Sequence, residues 1–394
     1  MAGELLQYRN AKLTWNGVDL SPLQTLETPF YLYSRDLLTK RFQEFQKAFP
    51  QARLHFAMKA NHYEPLLRHL QSLGSHVDVV SMGEAERAME CGFRADQILF
   101  SGPGKTQSEI QKALEKGIFQ INVESVDEIL KIKKTKLKAR IGLRWTPGLD
   151  VKTHPFIKTS HTDTKFGLSV EMMDSILAEI QNDPQVQFQG FSLHLGSQIL
   201  DLSDFDQAFE SYKDLVSQFQ NKYPSLQFKT LDLGGGLGID YHSSDVEPDF
   251  QRLQEYQKIV MKHFAQVPYQ ILFEPGRFLV ARTGGLVAEV QAVKKTKNKT
   301  MVVLDAGMHN LMRPILYQAY HGVWPLILRE GPLEKVDLVG PICESSDFIA
   351  LDRDMPPLQV GDRVWIADCG AYGASMASDY NLRPRAQEIF IEDL

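Results

Sequence analysis

Residues 187–219 run QFQGFSLHLGSQILDLSDFDQAFESYKDLVSQF. The first part, Gln187 to His194, is rich in aromatic and aliphatic side chains and too short for a helix, so it is a strand candidate. The last part, Ser203 to Phe219, sets Phe205, Ala208, Phe209, Tyr212, Leu215, Val216 and Phe219 at i, i+3, i+4, i+7 spacing, one face of an amphipathic helix. Working outward, the same strand-then-helix unit recurs. The other strand candidates are Leu54 to Ala57, Val77 to Val80, Ile98 to Phe100, Phe119 to Val123, Ala139 to Trp145, Phe228 to Leu233 and Tyr269 to Phe273, each rich in Val, Ile, Leu or Phe. Strands that alternate with helices pair in parallel, because parallel neighbours need a crossover. With Gln187 to His194 they make eight, the number that closes a (β/α)8 barrel of the TIM type, and the span suits the ~250 residues of that fold. The rival is a doubly wound open sheet.

After about residue 278 the texture changes. Thr283-Gly284-Gly285, the polar cluster Lys294 to Lys299 and the turn Pro356 to Asp362 separate short strand-like runs such as Met301 to Leu304 and Arg363 to Ala367. Short strands with turns and few helices predict a C-terminal β-domain. The expected division is 1–30, an N-terminal segment packing with the β-domain; 31–277, the barrel; and 278–394, a β-sandwich or small barrel.

Composition bounds the function. Of 394 residues, 43% are hydrophobic, 23% charged and 10% aromatic, an ordinary globular profile that excludes disordered and low-complexity classes. Forty-three Lys and Arg stand against 49 Asp and Glu, a net charge of -6 with no basic block, which argues against nucleic acid or a membrane surface as partner. The start has no basic region followed by an apolar one, and the apolar runs are strand-sized, so neither a signal peptide nor a membrane span is expected. Three scattered cysteines, Cys91, Cys343 and Cys369, make neither a disulfide framework nor a zinc site, and fit a reducing, cytoplasmic compartment. The 11 histidines include no H-E-x-x-H, so no metal is expected.

Chemistry in a parallel barrel sits on the loops that leave the C-terminal ends of the strands. Lys59 follows the first strand and reads as an amine nucleophile with a lowered pKa or as a solvated lysine. Asp78 lies in the second. Gly234 to Gly238 follow the seventh, as an anion cradle or as a tight turn; the run does not fit G-x-G-x-x-G. Glu274-Pro275-Gly276-Arg277 follows the eighth, where the acid suits a pyridinium nitrogen and the arginine an anion, unless the two pair with each other. His194 ends the sixth strand, as a ring-stacking or a structural histidine. Lysine, anion cradle, ring-nitrogen acid and stacking histidine at one mouth are the parts a pyridoxal-phosphate pocket requires.

These stretches resemble the diaminopimelate decarboxylase family, within the alanine-racemase-like, fold type III pyridoxal-phosphate enzymes. The resemblance rests on Ala57 to Asn61, Thr153-His154-Pro155, Lys165-Phe166-Gly167, His194 to Ser197, Leu233 to Gly238 and Glu274 to Arg277. In the tail it rests on Met308, Leu311 to Pro314 with Tyr317, Gly340 to Ser345, and Gly370 to Gly373. It implies pyridoxal 5'-phosphate joined to Lys59, Glu274 at its ring nitrogen, His194 on its ring face, Asp78 beside the pocket, and Ser197, Gly235, Gly236, Gly276 and Tyr372 on its phosphate. Arg277, Arg313, Tyr317 and Tyr372 would bind substrate carboxylate, Glu344 the distal amine, and Cys343 would donate the proton. It further implies a head-to-tail homodimer whose Cys343 and Glu344 enter the partner's site, and decarboxylation of meso-2,6-diaminoheptanedioate, a small-molecule amino-acid substrate, to L-lysine as the last step of lysine biosynthesis. Taken alone, Cys343 reads as a buried core thiol, and Cys91 on a helix and Cys369 in a strand read the same way. Two stretches depart from the family pattern: Arg144-Trp145-Thr146-Pro147, where Asn-Pro often follows the arginine, and Lys158-Thr159-Ser160, with serine where glycine is common. The alternatives are an ornithine- or arginine-type basic amino-acid decarboxylase and a non-catalytic regulator that kept the fold.

Overall fold

The computed structural model describes residues 5–148 and 165–394. Thr153-His154-Pro155 and Lys158-Thr159-Ser160 lie outside the described residues. As far as it is described, the chain divides into two units. One comprises Phe42–Gly238 and Gln251–Phe278, the other Met1–Arg41, Ile239–Phe250 and Leu279–Leu394.

The first is the barrel unit. Its strands are Arg53–Ala57, His76–Val79, Ile98–Phe100, Gln120–Val123, Ala139–Trp145, Val186–Leu193, Thr230–Asp232 and Gln270–Phe273, numbered here first to eighth in chain order. All neighbours pair in parallel, and the eighth strand closes on the first through Leu272↔Arg53 and Phe273↔Leu54. The open sheet is thereby excluded. Each strand matches a sequence expectation to within a few residues. The seventh is three residues rather than the six of Phe228 to Leu233, because only Thr230–Asp232 is paired on both sides.

Helices leave the strand ends through short capped turns. Ser81, Ser125 and Ser169 each accept an N–H of the first turn of their helix, and Thr106 forms a full capping box with Glu109 ahead of Gln107–Lys116. The helix Ser203–Lys222 buries the expected face, Phe205 through Phe219. It ends before Pro224, which disfavours a helical Tyr223.

The second is the sheet unit. A mixed sheet runs in the order Val323–Pro325, Arg363–Ile366, Gly284–Lys295, Thr300–Leu304, Glu334–Val339, Phe348–Met355. Phe30–Tyr33 pairs antiparallel with Gly284–Val287, and Gln387–Phe390 adds in parallel beside it. The N-terminal strands Leu6–Arg9, Lys12–Trp15 and Val18–Asp19 form their own small sheet, with Trp15 packed on Trp365 at 4.8 Å between ring centres. Residues 31–41 and 239–250, within the expected barrel span, thus belong to the sheet unit. The reason for the first is the ladder: Phe30–Tyr33 finds its backbone partners there.

Candidate active site

The barrel mouth brings together three of the residues that the sequence pointed to: Lys59, His194 and Glu274. Lys59 sits in a single 3-10 turn, Met58–Ala60, directly after the first strand. His194 follows the sixth strand and Glu274 the eighth. Lys59, His194 and Glu274 line one cavity of about 430 Å³, together with Ser101, Asn122, Arg144, Lys165 and Phe166. That volume suits a small organic cofactor with its substrate.

Glu274 is the electrostatic centre. Burial pushes its carboxyl well above the ordinary range, and the neighbouring Asp232 carboxylate adds to the effect. Lys59 and Arg144 pull the other way without prevailing. Asp232, fully buried on the seventh strand, is itself raised by burial to about 6. Ser101 Oγ lies 3.5 Å from Glu274 Oε1. Behind it runs a chain of buried amides across the barrel. Thr230 Oγ1 donates to Gln120 Oε1 at 3.2 Å, Gln120 Nε2 to Asn122 Oδ1 at 2.8 Å, and Asn122 Nδ2 to both Ser101 Oγ (3.2 Å) and Asp232 Oδ2 (3.3 Å). Gly142 leaves room for it: a Cβ there would stand 2.5 Å from both Asn122 Oδ1 and Gln120 Nε2. Asp78, also buried, makes no well-formed hydrogen bond among the described residues; burial first and Glu274 second raise its pKa well above the usual carboxylate value.

The glycine run comes close to this acid. A Cβ on Gly235 would meet the carbonyl oxygen of Glu274 at 2.2 Å, and Gly236, at φ +103°, would meet Gly196 O at 2.7 Å. The backbone here is bare by necessity, which is what a phosphate cradle needs. Arg277 turns to Ser197, with Nε and Nη2 at 3.3 and 3.0 Å from its Oγ. Arg144 is aimed by Glu124, which takes Nη1 at 3.1 Å on each oxygen and also accepts the N–H groups of Gly102 and Gly167. After Arg144, Thr146 Oγ1 donates to Phe166 O at 2.6 Å, so the departing dipeptide Trp145-Thr146 orders a cavity-lining residue.

Arg313, Tyr317, Cys343, Glu344 and Tyr372 belong to the sheet unit. Arg313 and Tyr317 bound a one-turn helix. Cys343 is exposed, not a core thiol, because it lies in the turns between Glu334–Val339 and Phe348–Met355. Glu344 accepts the hydroxyl of Tyr380 at 2.5 Å. Cys91 is buried at the end of the helix Met82–Glu90. Cys369 is buried too, but three residues beyond its strand, which ends at Ile366.

Pyridoxal phosphate suits the barrel mouth on these grounds: a lysine, an acid whose pKa burial raises and a flat ring line one cavity, and a bare backbone cradle comes up against that acid. Residues 35–281 match the family described as "Pyridoxal-dependent decarboxylase, pyridoxal binding domain". The diaminopimelate decarboxylase of Aquifex aeolicus is 38% identical over 393 residues, covering 98% of this chain and 92% of that protein. The chain belongs to the diaminopimelate decarboxylase family. The Campylobacter jejuni member is 39% identical, with 94% of this chain and 92% of that protein covered. The crystal structure of the Helicobacter pylori member complexed with L-lysine superposes with a TM-score of 0.88 at 34% identity, covering 95% of this chain and 94% of that one. This decarboxylase is therefore a pyridoxal-phosphate enzyme with an alanine-racemase-like fold.

Sequence reasoning passed over Ser101, Asn122, Asp232 and Glu124. The available signal was a polar side chain inside a fully buried strand, as in Gln120–Val123 and Thr230–Asp232.

Proposed function

We propose that this enzyme decarboxylates meso-2,6-diaminoheptanedioate at its D centre, giving L-lysine and carbon dioxide, as the last step of lysine biosynthesis in the cytoplasm. The observation that carries the reading is the convergence of Lys59, His194 and Glu274 on one cavity in a chain of this family. Bound pyridoxal phosphate supplies the sink for the electrons of the broken C–C bond. Lys59 would hold the cofactor. Glu274 would face the ring nitrogen and keep it protonated; burial, with Asp232 beside it, raises the pKa of its carboxyl. His194 would face its ring, with Asp78 beside the pocket. Gly235, Gly236, Gly276, Ser197 and Tyr372 take the phosphate.

On the substrate side, Arg277, Arg313, Tyr317 and Tyr372 bind carboxylate, Glu344 pairs with the distal amine, and Cys343 protonates the carbon that loses carbon dioxide. The exposure of Cys343 and Glu344 suits service in a neighbouring subunit's site. The working form is a head-to-tail homodimer with shared sites. Mixing Lys59→Ala with Cys343→Ala subunits, each nearly inactive alone, then restores activity through the hybrid dimer.

The deciding assay is release of labelled carbon dioxide from meso-diaminoheptanedioate, with and without added pyridoxal phosphate, by wild type and Lys59→Ala. Cofactor-dependent release that vanishes in the variant is expected. Turnover of ornithine alone would make this a basic amino-acid decarboxylase. Absence of turnover, with Lys59 unmodified after borohydride reduction, would make it a regulator.

A further inference from the structure

His321 is completely buried in the sheet unit and stands between Arg313 and the backbone. Its Nε2 lies 2.8 Å from Arg313 Nη1, and its Nδ1 lies 2.8 Å from the carbonyl oxygen of Ala367. A guanidinium only donates, and a carbonyl only accepts. The imidazole must therefore accept at Nε2 and donate at Nδ1. That fixes one tautomer of the neutral ring. A second proton would set an N–H against the arginine N–H and a like charge beside the guanidinium, away from water.

The surroundings support the same state. The Tyr241 ring lies 4.6 Å from Arg313 Cζ and edge-on to His321 at 5.5 Å and 71°. Cys369 Sγ is 3.6 Å from Nδ1, and its thiol is turned to the carbonyl of Ile366 at 3.2 Å. Burial holds that thiol far from ionisation, so it does not draw a charge onto the ring. Arg313 itself is 4% exposed, and such a long side chain is placed by what it touches.

We infer that His321 is a positioning residue for Arg313. By fixing Nη1 it sets the roll of the guanidinium plane, and with it the direction in which the fork meets the distal carboxylate of the substrate. This rests on the reading of Arg313 as a carboxylate binder.

The test uses the cofactor-loaded, full-length enzyme with His321→Gln, His321→Leu, His321→Asn and Arg313→Gln. Glutamine can accept from Arg313 and donate to Ala367, leucine does neither, and asparagine is too short to span both. The KM for meso-diaminoheptanedioate is expected to rise about 10- to 100-fold in His321→Leu and His321→Asn, the worth of a charge-assisted hydrogen bond, with kcat within about three-fold. His321→Gln returns KM to within a few-fold of wild type. Inhibition by L-lysine weakens by the same factor, whereas inhibition by 1,5-diaminopentane, which has no carboxylate, does not move. Equal loss of affinity for both inhibitors, a fall in kcat without a rise in KM, or no recovery with glutamine would overturn the inference. Arg313→Gln separates the two layers. If it leaves lysine inhibition intact, the reading of Arg313 fails; if it weakens lysine inhibition while the His321 variants do not, only the role of His321 falls.

Discussion

The backbone N–H of Gly235 donates to Nδ1 of His194 at 3.3 Å. A nitrogen that accepts carries no proton, so His194 is neutral with its hydrogen on Nε2. Burial, with the positive charges of Lys59 and Arg144, holds its pKa well below the ordinary value. Its approach to Glu274 Oε2, 3.7 Å from Nδ1, is therefore a contact of a neutral ring rather than an ion pair. The histidine thus presents a flat ring, tied to the glycine cradle by one bond.

It follows that His194 does not titrate near neutral pH. Affinity for pyridoxal phosphate, measured by absorbance titration of the apoenzyme, should show the same pH dependence between about pH 6 and 8 in wild type and His194→Phe. His194→Ala should bind about 2- to 12-fold more weakly than His194→Phe, the value of one aromatic contact. An inflection in this window that disappears with His194→Phe would refute the neutral assignment.

Gly235→Ala should damage both fold and site. The added methyl would stand 2.2 Å from the Glu274 carbonyl, a backbone atom that cannot step aside. The expected cost is about 1–3 kcal/mol in urea unfolding, together with loss of cofactor retention. A variant that unfolds like wild type and still retains cofactor would show that the strand ends have more slack than the distance allows.

How much of this was legible beforehand follows from what each signal depends on. The barrel strands were legible because a strand covered by helices must be an apolar run, whatever its neighbours. The helix Ser203–Lys222 was legible because its buried face repeats at helical spacing. Lys59, His194 and Glu274 were legible from their place after strands. Asp232 and Asn122 were not, because each is an ordinary polar residue until barrel closure brings it onto another. His321 is eight residues from Arg313, and only the path of the chain from Tyr317 to Val323 returns it to that side chain. Cys343 was misjudged as a core thiol because composition carries no information on which turns stay at the surface.

Asp232 makes stability depend on pH. Its pKa rises from the ordinary 3.8 to about 6 on folding. Between these values the native state holds more protons than the unfolded chain, so stability falls as pH rises from about 4 to 6 and is level above that. The native state loses about 2–3 kcal/mol across the window through this group. Asp232→Asn removes that slope. It also carries a constant penalty, since one Asn122 N–H then faces an amide. The measurement is the difference in unfolding free energy between the two proteins against pH: a difference that stays flat from pH 4 to 7 would show that Asp232 is ionised throughout.

Removing the buried charge of Lys105 should cost stability. Its ammonium donates to Gly102 O at 2.5 Å and Asn122 O at 2.7 Å, and lies 3.3 Å from both oxygens of Glu128. It thereby pins Gly102, Pro103 and Gly104, which line the cavity. Burial lowers the lysine pKa and raises that of Glu128, so the pair is held by its hydrogen bonds against a desolvation cost. Lys105→Met leaves the Glu128 carboxylate with the Glu124 N–H at 2.9 Å and without its cation. The expected loss is about 3–5 kcal/mol in urea unfolding near neutral pH, accompanied by a higher KM as the loop loosens. Adding Glu128→Gln keeps the Glu124 hydrogen bond and removes the stranded charge, so the double variant should recover at least about 1 kcal/mol of the loss. If Lys105→Met unfolds within about 1 kcal/mol of wild type, or the double variant is less stable than the single one, the strain lies elsewhere than in an uncompensated carboxylate.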